Sequence, residues 1–344
     1  MLIRVNPCKS VGNVNSLEVI LDLEMLHRRA AIIRQVRSFF DNRNYLELDT
    51  PLLSPDLIPE SCLEVFETKR LYPQGSKKES RPLWLIPSPE IWMKKIIAQH
   101  RTNVYQICKC FRNGESTGHL HSCEFTMLEY YTMNADYMDS LTLTEELFAF
   151  LAQEVQPSLR PPFERLTVAQ AFERWAGFDL FAAAGEKGAL EAHARRLGLD
   201  PPPGMETAAL YDLIFIHAVE PHLTTGKPVA LLDYPAFVPC LARRSHNGKT
   251  RFCETVERWE LYYNGIELAN CFSEERDPQK VKDFFKAEEE EKKRTSLIQH
   301  NVDHNYCKVF EDFPRCSGVA MGLDRLIMAL TGRSTIDGVL PFPG

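Results

Sequence analysis

From Asp22 to Asn42, apolar residues recur at steps of three and four, and Leu26, Ala30, Ile33, Val36 and Phe40 fall on one face of a predicted helix. Asn44 can take the left-handed conformation that stops a helix. Tyr45-Leu46-Glu47-Leu48-Asp49 then alternates as a strand does, and Thr50-Pro51 ends it because proline cannot donate to a ladder. Residues 69–82, KRLYPQGSKKESRP, are polar and rich in turn formers, which predicts a surface loop. A short strand is expected from Leu83 to Ile86, then a helix from Pro89, a residue suited to a first turn, to about Gln99. Two strands are expected at Val104 to Phe111 and Glu124 to Tyr131. Their connection, RNGESTGHLHSC, is long for a hairpin, and such loops are often functional.

Residues 138–227 read as a helical insertion broken by QPSLRPP and DPPPG. Strands resume at Pro228 to Asp233, Thr255 to Tyr263 and Ile266 to Phe272, the last two joined by the hairpin signal Asn264-Gly265. A charged helix is expected over 278–296, and an apolar one from near Leu323 to Thr331-Gly332. Strands that pair mostly as neighbours, with helices between and after them, argue an α+β fold: an antiparallel sheet flanked by helices. We expect a leader at 1–23 and one domain over 24–344.

The composition fits such a domain. In 344 residues, 44% are hydrophobic and 25% charged, which excludes disorder as the main state. No apolar run approaches the ~20 residues that cross a bilayer. The N-terminus lacks the apolar core of a signal peptide, so the cytoplasm is the expected compartment. The net charge of −7 counts against a protein that coats nucleic acid. Ten cysteines without a Cys-x-x-Cys pair read as reduced packing residues. Neither His119, His121 and Cys123 nor His300, His304 and Cys307 supplies a convincing zinc set.

Four segments carry candidate chemistry. In Glu124–Tyr131, alternation puts Phe125, Met127, Glu129 and Tyr131 on one face. That face suits a pocket where a ring stacks on a flat ligand and a carboxylate holds an ammonium; a solvated face with an ion pair fits the same pattern. Arg112, at a strand exit, can fork onto a phosphate. Glu267 and Glu274 could share a magnesium ion. They are seven apart, so the strand must bend or end between them for both to reach one ion. Gly318-Val319-Ala320-Met321-Gly322 leads into a helix with small residues that let a ligand approach backbone closely.

Taken in order, these segments resemble the class II aminoacyl-tRNA synthetases. RSFFDNRNYLELDTP matches the family's first motif, FRNGE followed by EFTMLEYY its second, and AMGLDRL its third. LIPSPE, EFTMLEYY, GIELANCFSE and the closing LTGRSTIDGVLPFP are similar to lysyl-tRNA synthetases. Only about 23 residues precede the first helix, too few for the N-terminal anticodon-binding barrel of those enzymes. The layout, and Ala320 in place of their Gly, resemble the truncated paralogues that form the elongation factor P β-lysine ligase family.

The resemblance implies ATP and Mg2+ as cofactors, (R)-β-lysine as substrate, elongation factor P as protein acceptor and a homodimer; neither membrane nor tRNA is expected as a partner. It implies catalytic roles for Arg112 and Arg325, and ATP binding by Arg112, Asn113, Glu115, Ser122, Phe125, Glu267, Leu268, Gly322 and Arg325. It implies an amino-acid pocket of Ser88, Pro89, Glu90, Glu129, Tyr131, Glu274 and Ala320, with Glu267 and Glu274 toward the metal. Three departures stand out: Glu115 comes one place late, Ser122 replaces an ATP-contacting Asn, and Cys271 replaces a Gly. The alternatives are an α-lysine-activating lysyl-tRNA synthetase-like enzyme and a non-catalytic ATP- and amino-acid-binding paralogue.

Overall fold

The computed structural model describes residues 22–73, 80–114, 119–152, 156–245 and 254–342. The expected leader lies almost wholly outside them, as does part of the predicted 69–82 loop. In chain order the elements are α1 (Leu23–Asp41), β1 (Leu46–Glu47), β2 (Leu53–Ser54), β3 (Glu67–Arg70), β4 (Arg81–Leu85), α2 (Glu90–His100), β5 (Val104–Phe111), β6 (Glu124–Met133) and α3 (Tyr137–Leu151). Then come β7 (Glu164–Thr167), α4 (Val168–Ala171), α5 (Leu180–Gly185), α6 (Ala189–Arg196), α7 (Thr207–Ile214), β8 (Val229–Pro235), β9 (Thr255–Tyr263), β10 (Ile266–Ser273), α8 (Pro278–Thr295), β11 (Cys316–Gly322) and α9 (Leu323–Thr331).

Eight strands form one sheet in the order β1-β5-β6-β11-β10-β9-β8-β7. The six central strands are antiparallel, whereas the edges β1 and β7 pair parallel to β5 and β8. A small sheet, β2-β4-β3, stands apart.

Alternation on the strands divides the chemistry between two faces. Tyr105, Leu128, Tyr130, Trp259, Leu261, Cys271, Val319 and Met321 enter one core with α1, α3 and α9. Asp22 caps α1 by accepting from the Met25 amide (2.9 Å). The buried stripe of α1 is Met25, Ile32, Val36, Phe39 and Phe40. It is centred beside the predicted face, because Phe40 seats on Tyr105 (4.8 Å between ring centroids) and Tyr130 (4.9 Å). Asn44 has φ 59°, as its position after the helix required. At the hairpin, Asn264 and Gly265 both take positive φ (50° and 77°).

The expected helical insertion is narrower than 138–227. Its first helix, α3, belongs to the main core, where the Thr144 hydroxyl meets the Tyr130 hydroxyl (2.6 Å). The segment also contains the edge strand β7. The remaining helices, α4 to α7, form a second core around Phe172, Leu190, Tyr211 and Ile214, packed on the far face of β8 and β9. The other difference is at the small-residue lead into α9, which is a central strand, β11. Two glycines and an alanine give it little strand propensity, and its pairing with β6 and β10 imposes the extended form.

Candidate active site

The second face of the sheet is the floor of a cavity of about 410 Å3. Phe125, Met127, Glu129 and Tyr131 all line it, as alternation on β6 requires. In register beside them on β11 lie Gly318 opposite Tyr131, Ala320 opposite Glu129 and Gly322 opposite Met127. On β10 one extra residue intervenes between Glu267, opposite Tyr262, and Ala269, opposite Leu261. This bulge reverses the parity of the strand. Glu267 and Glu274, an odd seven positions apart, therefore both line the cavity.

One end is arginine-rich. The Arg112 guanidinium lies over the Phe125 ring, 5.2 Å from its centroid. Arg325, on the first turn of α9, is held by three acceptors. It donates to the Leu120 carbonyl (3.3 Å), the Glu267 carbonyl (2.9 Å) and Nε2 of His121 (2.8 Å). His121 is thus a support for Arg325. Asp324 anchors the helix start, accepting from the Thr126 amide (2.6 Å) and pairing with Arg29 (2.5 Å). The Glu267 carboxyl is pushed up to about 7 by burial and by neighbouring Glu260, with Arg325 and Arg112 opposing. Glu260 is occupied, because the hydroxyls of Tyr234 (2.6 Å) and Tyr262 (2.7 Å) donate to it and Arg258 pairs with it.

The other end is acidic. Glu129 is buried, and Tyr131 donates its hydroxyl to Oε1 (2.7 Å), while Oε2 is buried with no partner. Burial, then Glu90, raises the Glu129 pKa well above the carboxylate range. A carboxylate so placed lacks a cation. Glu274, also buried, is raised to about 7 by burial, with Lys94 opposing. At Gly318 an added Cβ would lie 2.6 Å from Oε1 of Glu274 and closer still to the Tyr131 ring. Glycine is what lets those two side chains meet the floor.

Of the expected site residues, Ser88, Glu90, Arg112, Ser122, Phe125, Glu129, Tyr131, Glu267, Leu268, Glu274, Ala320, Gly322 and Arg325 line this one cavity. Pro89 caps α2 and does not line it. Asn113 turns aside, bonding by its amide side chain to the Val65 carbonyl (3.4 Å) and by its backbone to the Glu64 carbonyl (2.9 Å). Glu115 lies outside the described residues. Cys271 points into the opposite core rather than toward the pocket. The proposed metal pair is divided: Glu274 pairs with Lys94 (2.6 Å), whereas Glu267 lies beside Glu260 and the arginines. Glu267 fits a magnesium ion better, since its carboxylate accepts no hydrogen bond from a described residue and needs positive charge; Mg2+ needs only one or two protein carboxylates beside substrate phosphates. Sequence reasoning missed Lys94, Arg258, Glu260 and the support of Arg325 by Leu120 and His121. Only the charged residue Lys94, four positions after Glu90, left a signal, that of an i,i+4 pair.

Comparison with known proteins gives the family. The family model described as tRNA synthetases class II (D, K and N) matches residues 22–344. A protein of Avibacterium paragallinarum named elongation factor P–(R)-β-lysine ligase is 33% identical over 321 residues, covering 93% of this chain and 95% of the relative. One of the same name from Histophilus somni strain 2336 is 35% identical over the same shares.

Proposed function

We propose, from the premise that the chain belongs to the class II tRNA synthetases (D, K and N), that it is an ATP-dependent ligase that activates (R)-β-lysine and transfers it to elongation factor P. The observation that carries this reading is one cavity with stacked Arg112 and Phe125 and pinned Arg325 at one end, and Glu90, Glu129 and Glu274 at the other. The first end suits a nucleotide triphosphate and the second an amino acid with two ammonium groups.

In the first step a carboxylate oxygen of β-lysine attacks the α-phosphorus of ATP. The bond to the bridging oxygen breaks and pyrophosphate leaves. In the second, the acceptor lysine amine attacks the acyl carbon of the adenylate, loses its proton, and AMP leaves. The chain supplies position and charge. Phe125 offers a face to adenine, Arg112 meets the negative α-phosphate, and Arg325 is prevented from reorienting by its three acceptors. Glu129 and Tyr131 hold an ammonium group of the amino acid. Mg2+ bound at Glu267 would neutralise phosphate charge as pyrophosphate departs.

We place the enzyme in the cytoplasm as a homodimer. No helix among the described residues is long and apolar enough to cross a membrane. Leu46, Leu52 and Leu53 are exposed around the edge strand β1, next to α1, where a second copy would cover them. The test is ATP–pyrophosphate exchange with α- or β-lysine, followed by labelled transfer to elongation factor P. Exchange with β-lysine and transfer to the factor are expected. Exchange with α-lysine alone would favour the synthetase-like alternative, and no exchange would favour a binding protein.

A further inference from the structure

Lys94, the fifth residue of α2, is 1% exposed behind the cavity wall. Its ammonium donates to Oε1 of Glu90 (2.6 Å) and pairs with Oε2 of Glu274 (2.6 Å), and the ring of Phe310 lies 6.0 Å away. Both carboxylates belong to residues that line the cavity, whereas Lys94 does not. Burial alone would pull the lysine pKa down, but Glu274 and Glu90 outweigh it and hold it above the ordinary lysine range. The two short ion pairs therefore favour the charged ammonium.

An i,i+4 pair on a helix surface would need no further account, but this one is buried on the lysine side. Burying an ion pair carries a desolvation cost that apolar residues of similar volume avoid, so stability alone is a weak reason for it. The charge balance supplies another. Glu90, Glu129 and Glu274 bring three negative charges to the acidic end when ionised, and Lys94 cancels one. Two remain for the substrate.

We propose that Lys94 is a positioning residue for the amino-acid substrate: it fixes Glu90 and Glu274 in one arrangement and offsets one of the three carboxylates, so that the pocket selects a ligand with two ammonium groups. The inference deepens the β-lysine reading and rests on it.

The test uses pyrophosphate exchange with wild type, Lys94→Met and Lys94→Arg. The substrates are β-lysine and 3-aminohexanoate, the same skeleton without the terminal ammonium. In Lys94→Met the buried carboxylates left without their partner should take up protons and lose their fixed placement. The KM for β-lysine should then rise about tenfold or more while the KM for ATP stays unchanged, and discrimination between the two amino acids should fall about tenfold. Lys94→Arg keeps the charge and should recover part of both losses. A merely structural lysine would move the two KM values together and leave the discrimination intact, which would overturn the proposal. Should Lys94→Met not fold, Lys94→Gln carries the same expectation, and failure of both to fold would make the residue structural and overturn the proposal. No exchange by the wild type with either lysine isomer would overturn the parent reading, and this inference with it; an active wild type with an unaltered Lys94→Met overturns this inference alone.

Discussion

Ala320 on β11 stands directly opposite Glu129 on β6, so its methyl group borders the carboxylate expected to receive a substrate ammonium. Moving an amino group by one carbon changes where it meets that carboxylate. A methyl-sized change in a pocket is worth roughly 1–3 kcal/mol, or about 10–200-fold in discrimination. Ala320→Gly should therefore raise activity with α-lysine relative to β-lysine without weakening ATP binding. The ratio of kcat/KM for the two isomers is the measurement, and an unchanged ratio would remove Ala320 from substrate choice.

Arg112 and Arg325 are the positive side chains expected at the triphosphate. Arg112→Ala or Arg325→Ala should each cost about 2–4 kcal/mol at the transition state for adenylate formation, seen as loss of pyrophosphate exchange with the fold intact by circular dichroism. His121→Ala should give a smaller loss through Arg325, since the backbone carbonyls of Leu120 and Glu267 still hold the guanidinium. Near-normal exchange in both arginine variants would sink the assignment.

Gly318→Ala should displace Tyr131 or Glu274, because both occupy the space its Cβ needs. Overpacking of this kind typically costs about 1–3 kcal/mol. The melting temperature should fall and the KM for the amino acid should rise, with the KM for ATP little changed.

These positions were unevenly legible in the sequence. The face shared by Phe125, Met127, Glu129 and Tyr131 followed from alternation alone, because β6 is regular throughout. The helix from Asp22 was legible from its spacing, but its buried centre depends on Tyr105 and Tyr130, which come from distant strands. Gly318 and Ala320 could be marked as small residues near a ligand, yet not as the middle of the sheet, since tertiary pairing overrides their weak strand propensity. Lys94 escaped because nothing in a charged helix position tells that its far side is covered by Glu274, 180 residues later.

The pH dependence of stability follows from Glu267 and Glu274, both raised to about 7, mainly by burial. Between the ordinary carboxylate range and about 7 the folded chain holds protons that the unfolded chain has released. Their contribution is thus fully present at low pH and is lost as pH rises through about 7. For the ligand-free protein, the part of the stability set by these two groups should decline from about pH 4.5 to about pH 7 and level off above. Mg–ATP with β-lysine should raise the melting temperature more at pH 8 than at pH 5, because the ligands bind the ionised form. Equal shifts at both values, by thermal melts, would contradict this.

The exposed leucines near β1 give a further expectation. Sedimentation should show a two-fold dimer at micromolar concentration. Leu46→Asp should shift it toward monomer, and a stable wild-type monomer would refute the arrangement.

The extra residue in β10 sets a reading frame for the strand. Upstream of it, Glu267 faces the nucleotide end; downstream, Asn270, Phe272 and Glu274 face the floor, each on the count that follows the shift. Deleting Leu268 together with the bulge would leave Glu267 and Glu274 an even number of positions apart, so a regular strand would still present both to the cavity; losing the bulge at full length would turn one of them into the core. Substitutions along this strand can each be absorbed on their own merits, but its length and its bulge must change together. Among sequences that share this fold, a one-residue gap at this point should therefore go with a regular strand that keeps both ends of the cleft.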